Sequence, residues 1–460
     1  MNVDKMKKFL NISLMALAVI STLSLASCKN EVDNIFDEDA VIRLDKAKAE
    51  YTDILTSNGG KWQLEYFSNR EEPGYIYLMT FSKNGSVTIS GHNKWINYVL
   101  TGNVNNTSAF GSEVSLWEVI ADNGPVLSFN SYNKFFHLFA DPYDIPSQSS
   151  AQSTTEINES GYGHEGDYEF NIMKYSGDTI YLTGKKRNLS MIMTRVGADV
   201  NDEVYMNEVV AMADSFFNAK VNQVYINLPN GVRWIVKNGA TSILRMFREG
   251  ADEISTAETH NIIITHDGIS FIDPVTLDGY VIKNFIRQPD GSLLCRDDNE
   301  TTMTADVLSN IFSTQSFIWK GELTGMGGLF DEMIKTISAE LKAYNKSTLN
   351  HVQFAYDETY NNNAGSFTVS FNVKKGSVKY NPTYYVTIQP SADAQVKFTV
   401  AAEGDRYGEL YATNCPTMRQ FVNTFAAVAY DLKANSLLAP TVMTMSQNGN
   451  AANYITWLLQ

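Results

Sequence analysis

The stretch YIYLMTFSKNGSVTIS, residues 75–90, carries the strongest folding signal in this sequence. Two runs rich in aromatic and β-branched residues flank the pair Asn84-Gly85. Because an Asn-Gly pair tolerates the positive φ angles of a tight turn, the stretch predicts a β-hairpin. The first half of the chain is then expected to continue as antiparallel sheet.

Similar short runs lie on both sides of the hairpin, at intervals of roughly ten residues. In chain order they are WQLEYF, WINYVL, SLWEVI, VLSFN, FFHLF, DYEFNIM, TIYLTG and SMIMTRV. Further Asn-Gly and Asp-Gly pairs recur as far as Asn448-Gly449, which indicates meandering sheet through most of the chain. The pattern predicts an antiparallel barrel or sandwich.

Helical periodicity interrupts the strand pattern four times. The predicted helices cover 41–55, which Asn58-Gly59-Gly60 ends, and then 204–219, 329–344 and 416–432. A glycine-rich segment, GELTGMGG at 321–328, lacks the lysine of a phosphate-binding loop and is interpreted as flexible backbone. The predicted fold class is β-rich α+β. It comprises an N-terminal helix plus antiparallel β domain at 40–198, followed by α+β units at 199–320 and 321–460, each led by a helix.

The first 27 residues have the layout of an export signal. Three lysines at positions 5, 7 and 8 precede an uncharged apolar run, and small residues lead to Cys28 in the sequence Leu25-Ala26-Ser27-Cys28. This ending resembles a bacterial lipobox, so residues 1–27 are predicted to be a lipoprotein signal peptide and Cys28 to be lipidated. An ordinary secretory signal that happens to end near a cysteine is the alternative. The predicted partner of the lipid is the outer membrane.

Residues 28–39 are predicted to form an acidic tether. The acidic side chains are Glu31, Asp33, Asp37, Glu38 and Asp39. Such a stretch resembles the surface-export signal of Bacteroidetes lipoproteins, which favours the cell surface. A merely flexible tether, which leaves the periplasmic face open, is the alternative.

Charge and cysteine content limit the possible partners. The formal net charge is -15, which argues against nucleic acid or anionic lipid as a binding partner because either would need a basic face. Cys295 and Cys415 could form a disulfide in an oxidising compartment or remain two buried thiols. The sequence leaves both alternatives open.

No short catalytic motif is present: no H-E-x-x-H, G-x-S-x-G, phosphate-binding loop or G-x-G-x-x-G turn. No catalytic residue, metal ligand or cofactor is therefore predicted. His260 and His266 are too far apart to chelate one ion unaided, and they are interpreted as surface or edge histidines. The acidic turn with Asp297, Asp298 and Glu300 lacks the spacing of a calcium loop.

Two further stretches could bind something. GYGHEGDYEF at 161–170 could form a calcium or substrate loop, or a tight turn that enters a strand; its candidate residues are His164, Glu165, Asp167 and Glu169. Aromatic residues cluster in the first sheet. Those proposed to bind a ligand are Trp95, Tyr98, Trp117 and Tyr132, with Phe136 nearby, and the alternative is that they are core or cross-strand residues.

Five segments resemble a known family: KWQLEYF, GYIYLMTFSKNGSVTIS, VLSFNSYNKFFHLFADP, GYGHEGDYEF and LTGKKRN. They are similar to segments of the Bacteroidetes lipoproteins grouped as domain of unknown function family 4302. The resemblance implies an outer-membrane lipoprotein associated with nutrient uptake, and it implies no catalytic residue. The strand order of the first half also resembles a lipocalin-like barrel.

Three functions remain open. The first is a lipid-anchored accessory of nutrient uptake that binds a glycan, a peptide or a transporter complex. The second is an extracellular hydrolase, for which Glu165, Asp167 and Glu169 would have to line a cleft. The third is a pilus or adhesin subunit, although no basic processing site stands out in the tether.

Overall fold

A computed structural model describes residues 39–70, 72–103, 108–141, 145, 164–217, 220–221, 223–238 and 243–460. The predicted signal peptide and nearly all of the tether lie outside these residues. So does SQSSAQSTTEINES at 147–160, whose polar composition predicts a loop between strands. Among the described helices, none combines the length and the apolar character needed to cross a membrane.

The N-terminal sheet follows helix α1 (Ala40–Thr56) and a 3-10 turn at Ser57–Gly59. Its nine strands are β1 (Lys61–Tyr66), β2 (Tyr75–Phe81), β3 (Ser86–Asn93), β4 (Ala109–Leu116), β5 (Glu118–Ala121), β6 (Pro125–Ser128), β7 (Glu169–Ser176), β8 (Thr179–Gly184) and β9 (Ser190–Arg195). Their order is β4-β3-β2-β1-β9-β8-β7-β6-β5, and neighbouring strands are antiparallel. Only Trp117 separates the two edge strands β4 and β5, so the sheet curls until its ends meet.

The predicted hairpin is confirmed as β2 and β3. Met79 pairs with Ile89, and Gly85 in the turn has a φ of 84°. Asn84 supports the turn because its side-chain oxygen accepts a hydrogen bond from the Ser86 N–H at 3.0 Å. Local turn chemistry and tertiary structure agree at this position.

Two predicted strands of the first half are wrong. WINYVL lies in helix α2 (Lys94–Thr101), because the Asn93 side chain accepts hydrogen bonds from the Trp95 and Ile96 N–H groups at 3.0 and 2.9 Å. Gly102, with a φ of 73°, ends this helix. FFHLF forms turns that include a 3-10 segment at His137–Phe139, and Asn133 accepts hydrogen bonds from the backbone N–H groups that begin it.

The middle of the chain forms a closed antiparallel barrel, which follows helix α3 (Asp202–Phe217). Its strands are β10 (Val224–Asn227), β11 (Arg233–Asn238), β12 (Ile243–Arg248), β13 (Glu258–Ile264), β14 (Gly268–Leu277), β15 (Tyr280–Arg287), β16 (Leu293–Cys295) and β17 (Thr302–Ala305), with helix α4 (Glu253–Thr256) before β13. Pairing of β10 with β17 closes the ring. The β-rich α+β class with a barrel is confirmed.

The C-terminal sheet follows helix α5 (Leu308–Phe312). Its strands are β18 (Trp319–Gly327), β19 (Thr348–Asp357), β20 (Ser366–Lys375), β21 (Val378–Tyr380), β22 (Thr383–Ala392), β23 (Gln395–Gly404), β24 (Tyr430–Ala434), β25 (Val442–Gln447) and β26 (Asn450–Leu459). The helices between them are α6 (Leu329–Asn345), α7 (Tyr360–Asn363), α8 (Arg406–Asn414) and α9 (Pro416–Phe425). β19 pairs with both β18 and β20, which closes this sheet as well.

Two predictions for the C-terminal unit are corrected. The glycine-rich segment is not a flexible joint, because it forms most of β18, with an irregularity between Gly321 and Met326. Gly327 needs to be glycine, since a Cβ there would lie 2.1 Å from the Tyr454 ring. The helix predicted over 416–432 ends at Phe425, because the chain from Tyr430 onwards pairs with β25 instead.

One junction recurs in the N-terminal and C-terminal sheets. The Trp62 indole N–H donates to the Leu55 carbonyl at 2.9 Å, and the Trp319 indole N–H donates to the Phe312 carbonyl at 3.2 Å. In both cases a buried tryptophan on the first strand holds the end of the helix seven residues upstream. Residue identity along the sequence was too low to indicate this repetition.

The apolar core has two parts. One buried cluster runs through the N-terminal sheet, α3 and the middle barrel, and the other fills the C-terminal unit. The Gly74 N–H also donates to the Ile262 carbonyl at 3.2 Å, which joins the N-terminal sheet to the barrel directly. These two units therefore pack closely, while the predicted domain boundaries at 198/199 and 320/321 stay predictions.

Candidate functional site

Strand β1 is buried on both faces, and this explains where the site lies. Trp62, Leu64 and Tyr66 point into the core, as expected from the alternation of a strand. Lys61, Gln63 and Glu65 point the other way and are nevertheless only 8%, 6% and 9% exposed. The middle barrel and α3 cover this polar face, so β1 presents a polar stripe to another part of the protein.

A cleft of about 640 Å³ lies between the two units at this stripe. Strand register builds one wall: Gln63 lies opposite Thr194, and Glu65 lies opposite Ile192 on the neighbouring strand β9. The other walls come from Tyr205 on α3, from the turn between β13 and β14, and from β14 and β15. The cleft therefore exists only where the first two units meet.

Three polar side chains form a hydrogen-bonded chain across the cleft. The Tyr205 hydroxyl donates to Gln63 Oε1 at 2.6 Å, and it lies 2.7 Å from His266 Nδ1. Because the hydroxyl proton is used on Gln63, His266 Nδ1 must donate to the tyrosine oxygen. These two hydrogen bonds fix the orientation of the Gln63 amide. Its N–H groups have no hydrogen-bond partner among the described residues.

Glu65 is the unusual group of the site. Its carboxyl lines the cleft, is nine-tenths buried, and has neither a hydrogen bond nor an ion pair within the described part of the chain. Burial raises the pKa of Glu65 to about 7, with a further increase from the charge of Asp267 and a decrease from that of Lys283. Buried polar groups are normally paired, so an unpaired carboxyl here calls for an explanation.

The cations near the cleft leave Glu65 uncompensated. The Arg195 guanidinium donates to the Ser57 and Ile54 carbonyls at the end of α1, so that arginine is already engaged. Lys283 is half-buried and forms no ion pair within the described residues. Arg296 is exposed at the rim of the cleft. Asp267 adds a second carboxylate to the lining.

The predicted ligand-binding aromatic residues do not form one exposed platform. Trp95 is fully buried and donates its indole N–H to the Tyr75 hydroxyl at 2.8 Å, and Trp117 is buried against Phe81 with ring centroids 4.8 Å apart. Tyr98 is half-buried against the core. Of the four predicted residues only Tyr132 is well exposed, at 61%. Phe136, named with them, is buried.

The carboxylates of GYGHEGDYEF do not share one site either. The two carboxylate oxygens of Asp167 accept hydrogen bonds from the Lys186 and Arg187 N–H groups at 2.8 and 3.0 Å, so this residue shapes a turn. Glu165 pairs with Arg187, and Glu169 with Lys185. Residues 161–163 lie outside the described part of the chain. The turn alternative describes these residues better than a calcium loop does.

His164 belongs to a separate buried cluster. Its Nδ1 lies 2.5 Å from Glu72 Oε2, and the Ser68 hydroxyl donates to the same oxygen at 2.9 Å. Both His164 and Glu72 are buried, and the Trp95 ring covers the imidazole with centroids 5.0 Å apart. The two side chains are therefore paired with each other and buried, in contrast to the groups that line the cleft.

The remaining predicted residues are not grouped. His260 lies on β13 beside Glu258, whereas His266 lies in the cleft. Asp298 accepts hydrogen bonds from its own turn, and its pKa is lowered by those to Thr301 and Glu300 despite partial burial. Cys295 and Cys415 are free, buried thiols, so the disulfide alternative is wrong. In the described ranges no three metal-binding side chains come together.

Gln63, Glu65, Tyr205 and Asp267 were missed in the sequence. The available signal was the polar alternation of Lys, Gln and Glu on one face of KWQLEYF. A polar strand face has the same sequence pattern whether it is exposed to solvent or covered by another part of the protein. Nothing local indicates that a barrel more than a hundred residues further along covers this face.

A β-rich chain with a polar cleft between two antiparallel sheets is the class that fold and site define. The chain belongs to the DUF4302 family, a domain of unknown function, which matches residues 32–289 and hence more than half of its length. The matched span contains Gln63, Glu65, Tyr205 and His266. No curated protein sequence matches the chain significantly.

Several solved structures match the chain, all with low sequence identity and low TM-scores. The β subunit of DNA polymerase of Streptococcus pyogenes is 11% identical, covers 92% of this chain and 93% of its own, and has a TM-score of 0.12. The C. crescentus β sliding clamp is 9% identical, covers 93% of each chain, and has a TM-score of 0.13. The Bartonella birtlesii sliding clamp is 8% identical, covers 90% and 98%, and also scores 0.13.

Proposed function

We propose that the protein is a lipid-anchored lipoprotein of the bacterial outer membrane that binds a small polar ligand in the cleft between its first two units, as an accessory of nutrient uptake. The observation that carries the binding part is the buried, unpaired carboxyl of Glu65 in a cleft large enough for a ligand. The predicted lipobox at Cys28 and the family resemblance support the location.

The anchoring part is tested by cell fractionation of the full chain and of Cys28→Ser. We expect the wild type in the outer-membrane fraction and the variant in the soluble fraction, because acyl chains at Cys28 would supply the membrane affinity. Identical fractionation of the two would refute anchoring. Surface exposure is measured on intact cells by protease accessibility of a C-terminal tag.

The uptake part is tested by purification of the lipidated chain from detergent-solubilised outer membranes, with Cys28→Ser as the control. Co-purification of a large transporter barrel with the wild type only is the expected result. Recovery of the protein alone, in a detergent that keeps known transporter complexes intact, would contradict a role in uptake.

A hydrolase is the second candidate, and one observation favours it. Glu65 and Asp267 line the same cleft, and the pKa of Glu65, raised to about 7 by burial, suits a general acid near neutral pH. This pair replaces the sequence-based trio Glu165, Asp167 and Glu169. Turnover of a glycan or peptide panel that disappears in Glu65→Gln would establish the activity, whereas equal turnover by both proteins would place it elsewhere.

A further inference from the structure

We infer that the cleft binds a ligand through a primary ammonium group, such as the N-terminus of a short peptide, and that Glu65 is the residue that holds this group. The inference rests on the proposed binding function and adds the chemical class of the ligand. It starts from the geometry of Glu65, a carboxyl that is nine-tenths buried, faces the cleft and has no partner in the described structure.

The first step is electrostatic. Removing a carboxylate from water without a partner costs several kcal/mol, and the nearby like charge of Asp267 adds to the cost of ionising Glu65. A ligand cation would remove both penalties, because it would provide the missing counter-ion and hydrogen-bond donors at once. The two acids lining one cleft therefore favour a cationic group at this position.

The second step concerns Lys283, a cation on β15 whose charge lowers the pKa of Glu65. Its attraction is weaker than the effect of burial, and it makes no ion pair with Glu65 within 4 Å. Its backbone N–H donates to Asp297 at 2.7 Å, so the strand is held in place while its ammonium group stays partly in solvent. Lys283 thus leaves room for a closer cation.

The third step is the supporting geometry around the ammonium group. Gln63 lies two residues from Glu65 on the same strand face, and Tyr205 with His266 fixes its amide. Free amide N–H groups next to an unpaired carboxyl match a ligand whose ammonium lies beside a carbonyl oxygen. A peptide N-terminus has this arrangement, because the first peptide carbonyl follows the α-amino group.

The experiment uses isothermal titration of the full chain with trialanine, with N-acetyl-trialanine and with maltotriose at pH 7.5. We expect trialanine to bind, and acetylation to weaken binding at least tenfold because it removes the ammonium group. Glu65→Gln should weaken trialanine binding to a similar extent and Asp267→Asn roughly threefold. Glu50→Gln is the matched control, an exposed glutamate on α1 outside the cleft, and should bind like the wild type.

Proton release gives an independent measurement. A cation at Glu65 favours the carboxylate. Titration at pH 6, where the peptide amine is already an ammonium group, in two buffers of different ionisation enthalpy should therefore show proton release on binding, and Glu65→Gln should abolish it. Other charged or titratable groups also surround the cleft at Glu65. They are Tyr181 on β8, Arg195 on β9, Tyr205 on α3, His266 and Asp267 in the β13–β14 turn, Lys283 on β15 and Arg296 after β16. His266→Gln separates a contribution of the imidazole from that of Glu65.

The outcomes distinguish the two proposals. Equal binding of trialanine and its acetylated form, or unchanged binding by Glu65→Gln, overturns the ammonium inference. Binding of maltotriose alone, lost in Glu65→Gln, also overturns it but leaves the cleft as a binding site. If none of the three probes binds a folded wild type, the ammonium inference fails for peptides, and the anchoring and co-purification experiments decide the proposed function separately.

Discussion

Glu65 and Glu72 are two buried glutamates of the same sheet region, seven residues apart, and their surroundings are opposite. Glu72 accepts a hydrogen bond from the Ser68 hydroxyl and lies 2.5 Å from His164, whose imidazole packs against the Trp95 ring. Glu65 has no partner within the described residues and faces a cleft. Burial alone therefore does not distinguish the two acids, whereas the presence or absence of a partner does.

The two acids should also contribute differently to the stability of the fold. A satisfied buried pair stabilises the fold as long as both members are present, and it loses that value when one is removed. An unpaired buried carboxyl destabilises the folded protein, and ionisable groups with such perturbed surroundings concentrate at functional sites. Substitution in the Glu72–His164 pair should therefore destabilise the protein, whereas substitution of Glu65 should stabilise it.

The largest effect is expected at the satisfied cluster. His164→Ala leaves Glu72 buried without its imidazole partner and opens a cavity under Trp95, so the free energy of unfolding should fall by roughly 4 kcal/mol. Chemical denaturation at pH 7 measures it. His260→Ala, on the barrel surface beside Glu258, is the matched control and should change stability by less than about 0.5 kcal/mol. Equal effects of the two would contradict a structural role for His164.

The next effect has the opposite sign and depends on pH. Folding raises the pKa of Glu65 from 4.5 to about 7, so the folded state binds more protons than the unfolded state between these values. Stability contributed by this group is therefore lost as pH rises from about 4.5 to about 7, by roughly 3 kcal/mol at most. Glu65→Gln should remove the loss and be more stable than the wild type at pH 8.

This prediction is measured by the difference in unfolding free energy between Glu65→Gln and the wild type at pH 5 and at pH 8. The difference should grow in favour of the variant at the higher pH. A variant that is destabilised at both pH values would mean that Glu65 has a structural partner, and the comparison with Glu72 would fail.

A smaller effect is expected at the recurring helix–strand junction. Trp62→Phe and Trp319→Phe each keep an aromatic ring but leave a helix-end carbonyl without its indole donor, at a cost of roughly 1–2 kcal/mol. If the junctions are equivalent, the two costs should agree within about 0.5 kcal/mol. Trp117→Phe, whose indole donates to Ser86 at a strand end, provides the comparison outside such a junction.

The smallest stability effect concerns the hydrogen bonds that orient the Gln63 side chain. Tyr205→Phe removes the hydroxyl between His266 and Gln63 and should destabilise the protein by about 1 kcal/mol. Its effect on ligand binding should be larger than its effect on stability, because the amide loses its fixed orientation. Tyr407→Phe, at an exposed position on α8 outside the cleft, should leave both unchanged. Proportional loss of binding and stability would indicate that Tyr205 is only a core residue.

The sequence predicted the elements whose signals are local. The hairpin at Asn84-Gly85, the helix at 329–344 and the β-rich class follow from turn residues and periodicity, and the structure confirms them. The strand predicted for WINYVL was wrong because the Asn93 side chain caps a helix there, and the apolar pattern alone does not distinguish a helix from a strand. The predicted end of α9 was wrong because the chain from Tyr430 onwards pairs with β25, and this pairing overrides helix propensity.

The sequence by itself determined the strand-rich class, the turns and the acidic character, since each depends on neighbouring residues or on composition. Only the tertiary structure decided that α3 and the middle barrel cover the polar face of β1, that Glu72 pairs with His164, and that Glu65 has no partner among the described residues. The reason is physical: a hydrogen-bond partner or its absence is set by residues brought together from distant parts of the chain, and strand alternation specifies only which side a residue faces.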